Sequence, residues 1–414
     1  MTADEGRAAV EMSDKEALRP RALTLFVVAG EHSGDALGAK LMAALDAAHP
    51  GPIHYVGVGG EGMQAHGLTS LFPLSDVAVM GPLAILKNLR RIVRRVYEAV
   101  AAGVAAKPDA VVIIDAPEFT HAIAKRFRRR MPDVAIIDYV SPTVWAWRPG
   151  RARAMSHYVD HVLALLPFEP EAHRRLGGPA CTYVGHPLIE RMAWIRSRDP
   201  IELAARLGLD SERPVLVVLP GSRTSEVGRL LAPFAETIGL LAKRENPPQV
   251  IIPAVSHVRD LIKAQTAGWP VPVKLVEGEA DKFAAFRLAR AALAASGTVT
   301  LELAVAGTPM VVAYRVDPIA ANLRFLVKVP SVVLANLVLG EAAFPEYLQE
   351  RCTPELMAGA LVSLLEDTPE RQAQLAALAR IPDKLLLETG TPSEAAAAVV
   401  LDMAAKGRPH TLES

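Results

Sequence analysis

The strongest constraint on this chain is an alternation. Short, nearly unbroken apolar runs are followed, one after another, by stretches long enough for a helix. The first series of runs is Leu23 to Ala29, Ile53 to Val58, Ala110 to Ile114, Val134 to Val140 and Val162 to Leu166. The second is Val215 to Leu219, Val250 to Pro253, Val273 to Val276, Ala291 to Ala295 and Met310 to Tyr314. A strand that is apolar on both faces must be covered on both faces, which is the situation of a parallel sheet between helices. The expected class is α/β, with two Rossmann-like doubly wound domains facing across a cleft.

Pro187 to Pro214 separates the two series and is rich in charge, Ala and Leu. The expected organisation is a mobile tail over 1–21, a first domain over 22–190, a linker over 191–213 and a second domain over 214–370. Helices over 371–414 then pack back on the body. At 414 residues the chain is long enough for two such domains. Its 51% hydrophobic and 22% charged residues exclude global disorder. Two cysteines far apart, Cys181 and Cys352, exclude a disulfide framework, and neither CxxC nor HExxH occurs, so no metal site is expected. The longest apolar stretch, Ala291 to Tyr314, is interrupted by Glu302 and two glycines and does not read as a membrane span. Met1 to Arg21 has no apolar core of a secretory signal.

In open α/β sheets ligands sit beyond the carboxyl ends of the strands, and the distinctive residues fall there. The first run leads into Gly30-Glu31-His32-Ser33-Gly34-Asp35. Such a turn lets backbone approach a ligand, and Glu31 and Asp35 suit sugar hydroxyls better than a bare phosphate; tight packing with Asp35 as a helix cap is the plainer alternative. Gly57 to Gly62 matches GxGxxG, but the acid expected about 20 residues later is missing, so it reads as a flexible loop. Asp115, just before Pro117, ends a buried run and is placed either to accept a proton from a substrate hydroxyl or to cap the next helix. Trp145, Trp147 and Arg148 follow another run and suit a sugar ring, an acyl chain or a phosphate, or simply fill a core.

In the second half, Pro220-Gly221-Ser222-Arg223-Thr224-Ser225-Glu226 is not a Walker A loop, yet Gly221, Ser222 and Arg223 can hold a pyrophosphate. Ser296-Gly297-Thr298 repeats that logic, and Glu302, one helical turn on, can accept ribose hydroxyls.

Taken in order, Gly-Glu-x-Ser-Gly-Asp, Ile-Asp-x-Pro, Tyr-Val-Ser-Pro-x-Val-Trp-Ala-Trp, Val-Gly-His-Pro-Leu, Leu-Pro-Gly-Ser-Arg-x-x-Glu and Ser-Gly-Thr-x-x-x-Glu resemble the lipid-A-disaccharide synthase family. Ala335-Asn336-Leu337 and Pro345-Glu346-Tyr347-Leu348-Gln349 extend the resemblance from about Leu25 to Gln349. It implies a GT-B glycosyltransferase that joins UDP-2,3-diacylglucosamine to 2,3-diacylglucosamine 1-phosphate, giving a β(1→6) disaccharide and UDP, with no cofactor and no metal. In that fold the second half carries the donor and the first the acceptor. Inversion at the sugar implies a base on the acceptor side, Asp115 first and Glu31 second. Ser33, Asp35, Trp147 and Arg148 are expected on the acceptor side. Gly221, Ser222, Arg223, Ser296, Gly297, Thr298 and Glu302 are expected on UDP, and Asn336, Glu346 and Gln349 on the donor. His186 either orients the cleft or is structural. The family's Asp-x-Pro-Asp-Phe-Asn reads Asp115-Ala116-Pro117-Glu118-Phe119-Thr120 here, which puts the contacts of its later Asp and Asn in doubt. Rival readings are another GT-B enzyme acting on UDP-N-acetylglucosamine, a non-catalytic nucleotide-sugar scaffold and, last, a nicotinamide dehydrogenase.

The formal net charge is zero, which excludes a protein that coats nucleic-acid phosphates, but the charge is unevenly spread. Residues 81–160 hold fourteen Lys and Arg against seven acids, a net of +7. Leu86, Leu89, Ile92, Val93, Val96, Tyr97 and Val100 recur at helical spacing, with Lys87, Arg90, Arg91, Arg94 and Arg95 between them. This is either a solvated helix face or a surface for anionic membrane. Acylated substrates favour the second, and the expectation is a peripheral protein on the cytoplasmic face of the inner membrane. A homodimer is compatible with the sequence.

Overall fold

The computed structural model describes residues 21–78, 82–316 and 329–408 of the chain. Residues 1–20 of the expected tail over 1–21 and the end after 408 lie outside the described residues, as do the side chains of Leu86 and Lys87. The chain divides into two compact units, one of residues 1–187 with 387–414, the other of Leu188–Leu386.

The first unit is built on a parallel sheet of β1 (Leu23–Ala29), β2 (Ile53–Val58), β3 (Thr69–Ser70), β4 (Ala110–Ile114), β5 (Ala135–Tyr139), β6 (His161–Ala164) and β7 (Ala180–Tyr183). Their order is β3-β2-β1-β4-β5-β6-β7. The strand order reverses between β1 and β4, the topological switch point. Alternate residues of β1 serve the two faces. Leu25, Val27 and Ala29 pack with the helix His32–Ala48, while Phe26 and Val28 pack beneath the helices Pro82–Ala106 and Pro117–Arg130. That two-faced burial is why the run is apolar throughout.

The second unit repeats the plan with β8 (Val215–Leu219), β9 (Gln249–Pro253), β10 (Val273–Val276), β11 (Ala291–Ala295), β12 (Met310–Tyr314) and β13 (Glu346–Leu348). The order is β10-β9-β8-β11-β12-β13, again parallel, with its switch point between β8 and β11. All ten expected runs are strands. The additional strands β3, β7 and β13 lie at sheet edges; β7 alternates exposed and half-buried residues and so carries no continuous apolar signal.

Two expected boundaries change. Residues 191–213, expected as a linker, belong to the second unit: Arg206 pairs with Asp281 at 2.5 Å, Arg191 pairs with Glu279, and Trp194 meets Phe283 edge-on at 5.7 Å. The C-terminal helices part company. In Pro369–Leu385, Gln374 bonds both backbone groups of Met310 (2.8 and 3.1 Å), which fixes that helix to the second unit. Pro392–Lys406 returns to the first, where Ala396, Ala397, Val400 and Ala404 lie in one core with Leu41 and Leu45. Small side chains allow the two helices to approach closely, and an Ala-rich pattern carries no mark of which body it will join.

Candidate active site

The ladder between β1 and β4 ends with Ala29 opposite Ile114, so Gly30 and Asp115 leave the sheet side by side. Both Asp115 (φ 55°) and Ala116 (φ 45°) are left-handed, a conformation that costs non-glycine residues about 1–3 kcal/mol each and persists where surrounding contacts enforce it. Four of those contacts are visible. The Asp115 N–H donates to Tyr139 O (3.1 Å), and the Ala116 N–H to Asp115 Oδ1 (2.8 Å). The Thr120 hydroxyl reaches Asp115 O (2.7 Å) and Ala116 O (3.1 Å). A Cβ on Gly30 would lie 2.3 Å from the Ala116 Cβ, so this tight turn requires glycine opposite it. The departure from the family pattern at position 120 thus has a structural role, and Glu118, largely exposed, pairs with Arg151 at 3.4 Å.

The Ser33 hydroxyl donates to Asp115 Oδ2 at 3.2 Å, joining the first glycine-rich loop to the candidate base. Glu31 sits half-buried at the start of the same helix. Asp35 plays a different part. Its carboxylate accepts the N–H groups of Gly60 (2.7 Å), Gly62 (3.0 Å) and Met63 (3.0 Å). It is buried and holds the Gly57–Gly62 loop, so the expected acceptor contact is replaced by a capping role. Trp147 is half-buried, and the Arg148 guanidinium stands 5.5 Å from its ring centroid. His186 is buried, and desolvation pushes its imidazole down to about 4, so the ring is neutral near pH 7.

In the second unit, Leu219 pairs with Ala294, and the loops that follow leave together. Gly221, Ser222, Arg223, Ser296, Gly297, Thr298 and Glu302 all line one cavity of about 680 Å³, with Pro253, Glu277 and Lys282 on its other sides. Gly221 has φ 111°, and a Cβ there would stand 2.8 Å from Glu226, so only glycine fits. Glu226 accepts from Arg223 (3.0 Å) and from the Tyr314 hydroxyl (3.2 Å), fixing the start of the helix Thr224–Leu241. Lys282 Nζ lies 3.0 Å from Glu302 Oε1. The cavity is thus rimmed by two glycine-containing loops at helix starts, favourable for anionic oxygens, with a carboxylate one turn deeper.

The structure does not bring Asn336, Glu346 and Gln349 to that cavity. Asn336 is 2% exposed and committed to Ser331 Oγ (3.2 Å) and both backbone groups of Phe344 (2.9 Å each), so its expected donor contact gives way to a structural one. Gln349 accepts the Val316 N–H at 3.2 Å. Glu346 accepts the Val332 N–H (3.0 Å), while Val332 O accepts the Ser296 hydroxyl (2.7 Å). Glu346 is therefore linked to the cavity through the backbone of one residue, Val332.

Lys282 and the buried acids Asp138 and Glu169 went unmarked in the sequence. A lysine within a charged helix has no distinguishing pattern; only its meeting with Glu302 singles it out.

Asp35→Ala should leave three backbone donors without their acceptor. We expect a loss of about 1–3 kcal/mol in unfolding free energy, read from urea denaturation. An unchanged midpoint would return Asp35 to a ligand-binding role.

The family model described as Lipid-A-disaccharide synthetase matches residues 25–399. A lipid-A-disaccharide synthase of Rhodopseudomonas palustris (strain HaA2) is 51% identical over 383 residues, covering 92% of this chain and 96% of that protein. One of Nitrobacter hamburgensis is 50% identical over 379 residues, covering 91% and 95%. Among solved structures, UDP-GlcNAc 2-epimerase from Neisseria meningitidis bound to UDP-GlcNAc superimposes with TM-score 0.62 at 13% identity, covering 93% of this chain and all of that one. Acinetobacter baumannii MurG does so with TM-score 0.55 at 12% identity, covering 92% and 100%. At such identities the structural likeness speaks for the two-domain fold alone, while relatives at about half identity over nearly the whole chain settle descent: the protein belongs to the lipid-A-disaccharide synthase family.

Proposed function

We propose that the protein is the inverting glycosyltransferase that condenses UDP-2,3-diacylglucosamine with 2,3-diacylglucosamine 1-phosphate to the β(1→6) disaccharide and UDP. The observation that carries this reading is the family match over residues 25–399. The switch-point cavity of the second unit supports it with a place for a nucleotide diphosphate.

The donor's uridine diphosphate lies in that cavity. Its phosphates meet the N–H groups around Gly221 to Arg223 and Gly297 to Val299, and Glu302, steered by Lys282, accepts from ribose hydroxyls. Arg223 has five N–H donors, so it can keep Glu226 at one edge and serve a phosphate with another. As the sugar–phosphate bond breaks, charge builds on UDP, and donors already in place stabilise it. On the acceptor side, Asp115 takes the proton of the attacking 6-hydroxyl. The left-handed turn holds its Oδ1 on the backbone and directs Oδ2 toward Ser33. Glu31, on the neighbouring loop, is the second choice for this role.

Asp115→Asn should lower kcat by about two to four orders of magnitude, the usual contribution of a positioned base, while UDP binding by calorimetry stays unchanged. A near-normal rate would remove Asp115 from the role. Glu302→Ala should raise the donor KM several-fold; an unchanged KM would put the ribose elsewhere. Turnover of non-acylated UDP-N-acetylglucosamine instead of the acylated sugars would favour the rival GT-B reading.

The same reading includes a membrane face. The helix Pro82–Ala106 buries Val96, Ala99 and Val100 in the core. On another side it exposes Leu89 (47%), Val93 (41%) and Tyr97 (50%), spaced four residues apart, with Arg90, Arg91 and Arg94 exposed beside them. Arg95 does not join that group: it pairs with Asp76 (2.5 Å) and Glu98 (2.6 Å) and lies over Phe72, a structural correction to its expected docking role. No helix among the described residues is long and apolar enough to cross a membrane. An apolar stripe with flanking arginines fits an anionic bilayer surface, where acylated substrates reside. Wild-type protein should bind vesicles containing phosphatidylglycerol, less so as salt rises, and Leu89→Ser/Val93→Ser with Arg90→Glu/Arg94→Glu should abolish binding. Equal binding by the variant, or a monomer–dimer change in its place during sedimentation, would overturn the bilayer as occupant.

A further inference from the structure

The mechanism above uses none of the buried acids of the first unit, and one of them touches the expected acceptor loop. Glu169 is 3% exposed and opens the helix Glu169–Arg175. Its Oε2 accepts the N–H groups of Leu165 (3.1 Å) and Leu166 (3.0 Å), both in its own turn after β6. Its Oε1 accepts the indole N–H of Trp145 at 3.1 Å, from the loop after β5. The Trp145 ring also stands edge-on to Phe168, with centroids 5.1 Å apart. Trp145 is thus gripped by the neighbouring loop through a polar contact and a ring contact together.

The turn that carries Trp145 is tight. The N–H groups of Ala146 (3.0 Å) and Trp147 (2.9 Å) both donate to Thr143 O, and Arg148 follows in a left-handed conformation, φ 53°. Little freedom remains between the anchored indole and the two side chains beyond it. We propose that Glu169 is a positioning residue for acceptor binding, acting through Trp145 to set the loop that presents Trp147 and Arg148. This rests on the reading that the loop serves the acceptor.

The anchor needs an ionised carboxylate. As a carboxylate, Glu169 offers lone pairs to all three N–H donors; a proton would turn one oxygen into a donor facing donors. Burial pushes its carboxyl up to about 7, and nearby Asp138 of β5 adds to the rise, while the three donors hold it down. Cys181 and Tyr183 of β7 feel its charge, and burial raises both, so they stay neutral near pH 7. His173, on the helix that Glu169 opens, is held low by burial and is neutral as well. Above pH 7 the anchor is charged and set; below, it is protonated and weakened.

The test uses the full-length enzyme and separate KM values for the two acylated sugars. Glu169→Gln and Trp145→Phe, which keeps a ring on Phe168 but removes the N–H, should each raise the acceptor KM about tenfold, the effect of losing one hydrogen bond to a charged group. UDP affinity should not change, and the double variant should add nothing further. The ratio of the Glu169→Gln acceptor KM to the wild-type value should be large above pH 7 and approach one below it; ionisation of the acceptor phosphate is common to both enzymes and cancels. Trp145→Phe keeps the proposal testable if the Glu169 variant does not fold. Unchanged acceptor KM in the two variants, or a ratio flat with pH, would overturn the proposal. Arg148→Met separates the two layers. If it raises the acceptor KM while the anchor variants do not, only the positioning role fails. If it too leaves the acceptor KM unchanged, the acceptor assignment of the loop fails with it.

Discussion

Two parallel ladders govern this protein. β1 beside β4, and β8 beside β11, are adjacent strands whose crossovers run to opposite sides of the sheet. Where crossovers diverge, no helix covers the strand ends, and the loops there are left to meet a ligand. In the first unit the ladder ends at Ala29 and Ile114, and Gly30 and Asp115 come next. In the second, Leu219 faces Ala294, and the Gly221 and Ser296 loops come next. Every residue given a chemical role at these points depends on that register. A slip of one residue would exchange the side chains packed on the two faces and move Gly30 and Asp115 out of line.

Around each switch point, polar groups either hold the loops or stay partly exposed beyond the strand ends. Asp35, Asn336 and Glu226 spend their hydrogen bonds on backbone and neighbouring side chains, shaping the turns they face. Thr120 does the same for the strained turn at Asp115. Their buried position gives these contacts weight, since an unpaired polar group in such surroundings is costly. Asp115 and Glu302 are half-buried and Arg223 is exposed, and in the proposed mechanism it is these three that change partners when substrate arrives.

The strands and their parallel arrangement were legible because burial on both faces writes itself into uninterrupted apolar runs such as Val215 to Leu219. The site loops were legible as glycines and acids at the ends of those runs. Edge strands such as β7, half-exposed, were not. Nor could spacing distinguish Asp35, which caps a distant loop, from Ser33, two residues away and bonded to Asp115. The same holds along one helix, where Arg94 is exposed while Arg95 turns back to Asp76.

The sequence by itself determined the α/β class, the positions of the ten main strands and the loops where chemistry would lie, because those follow from local burial patterns and from glycine's conformational freedom. Only the tertiary structure decided which polar side chains line a cavity and which are consumed in holding the loops. It also decided that Pro392–Lys406 completes the first unit and that Glu169 grips Trp145 across 24 residues of chain. Such partnerships join residues distant in sequence, and a hydrogen bond is specified by where its two ends meet in space.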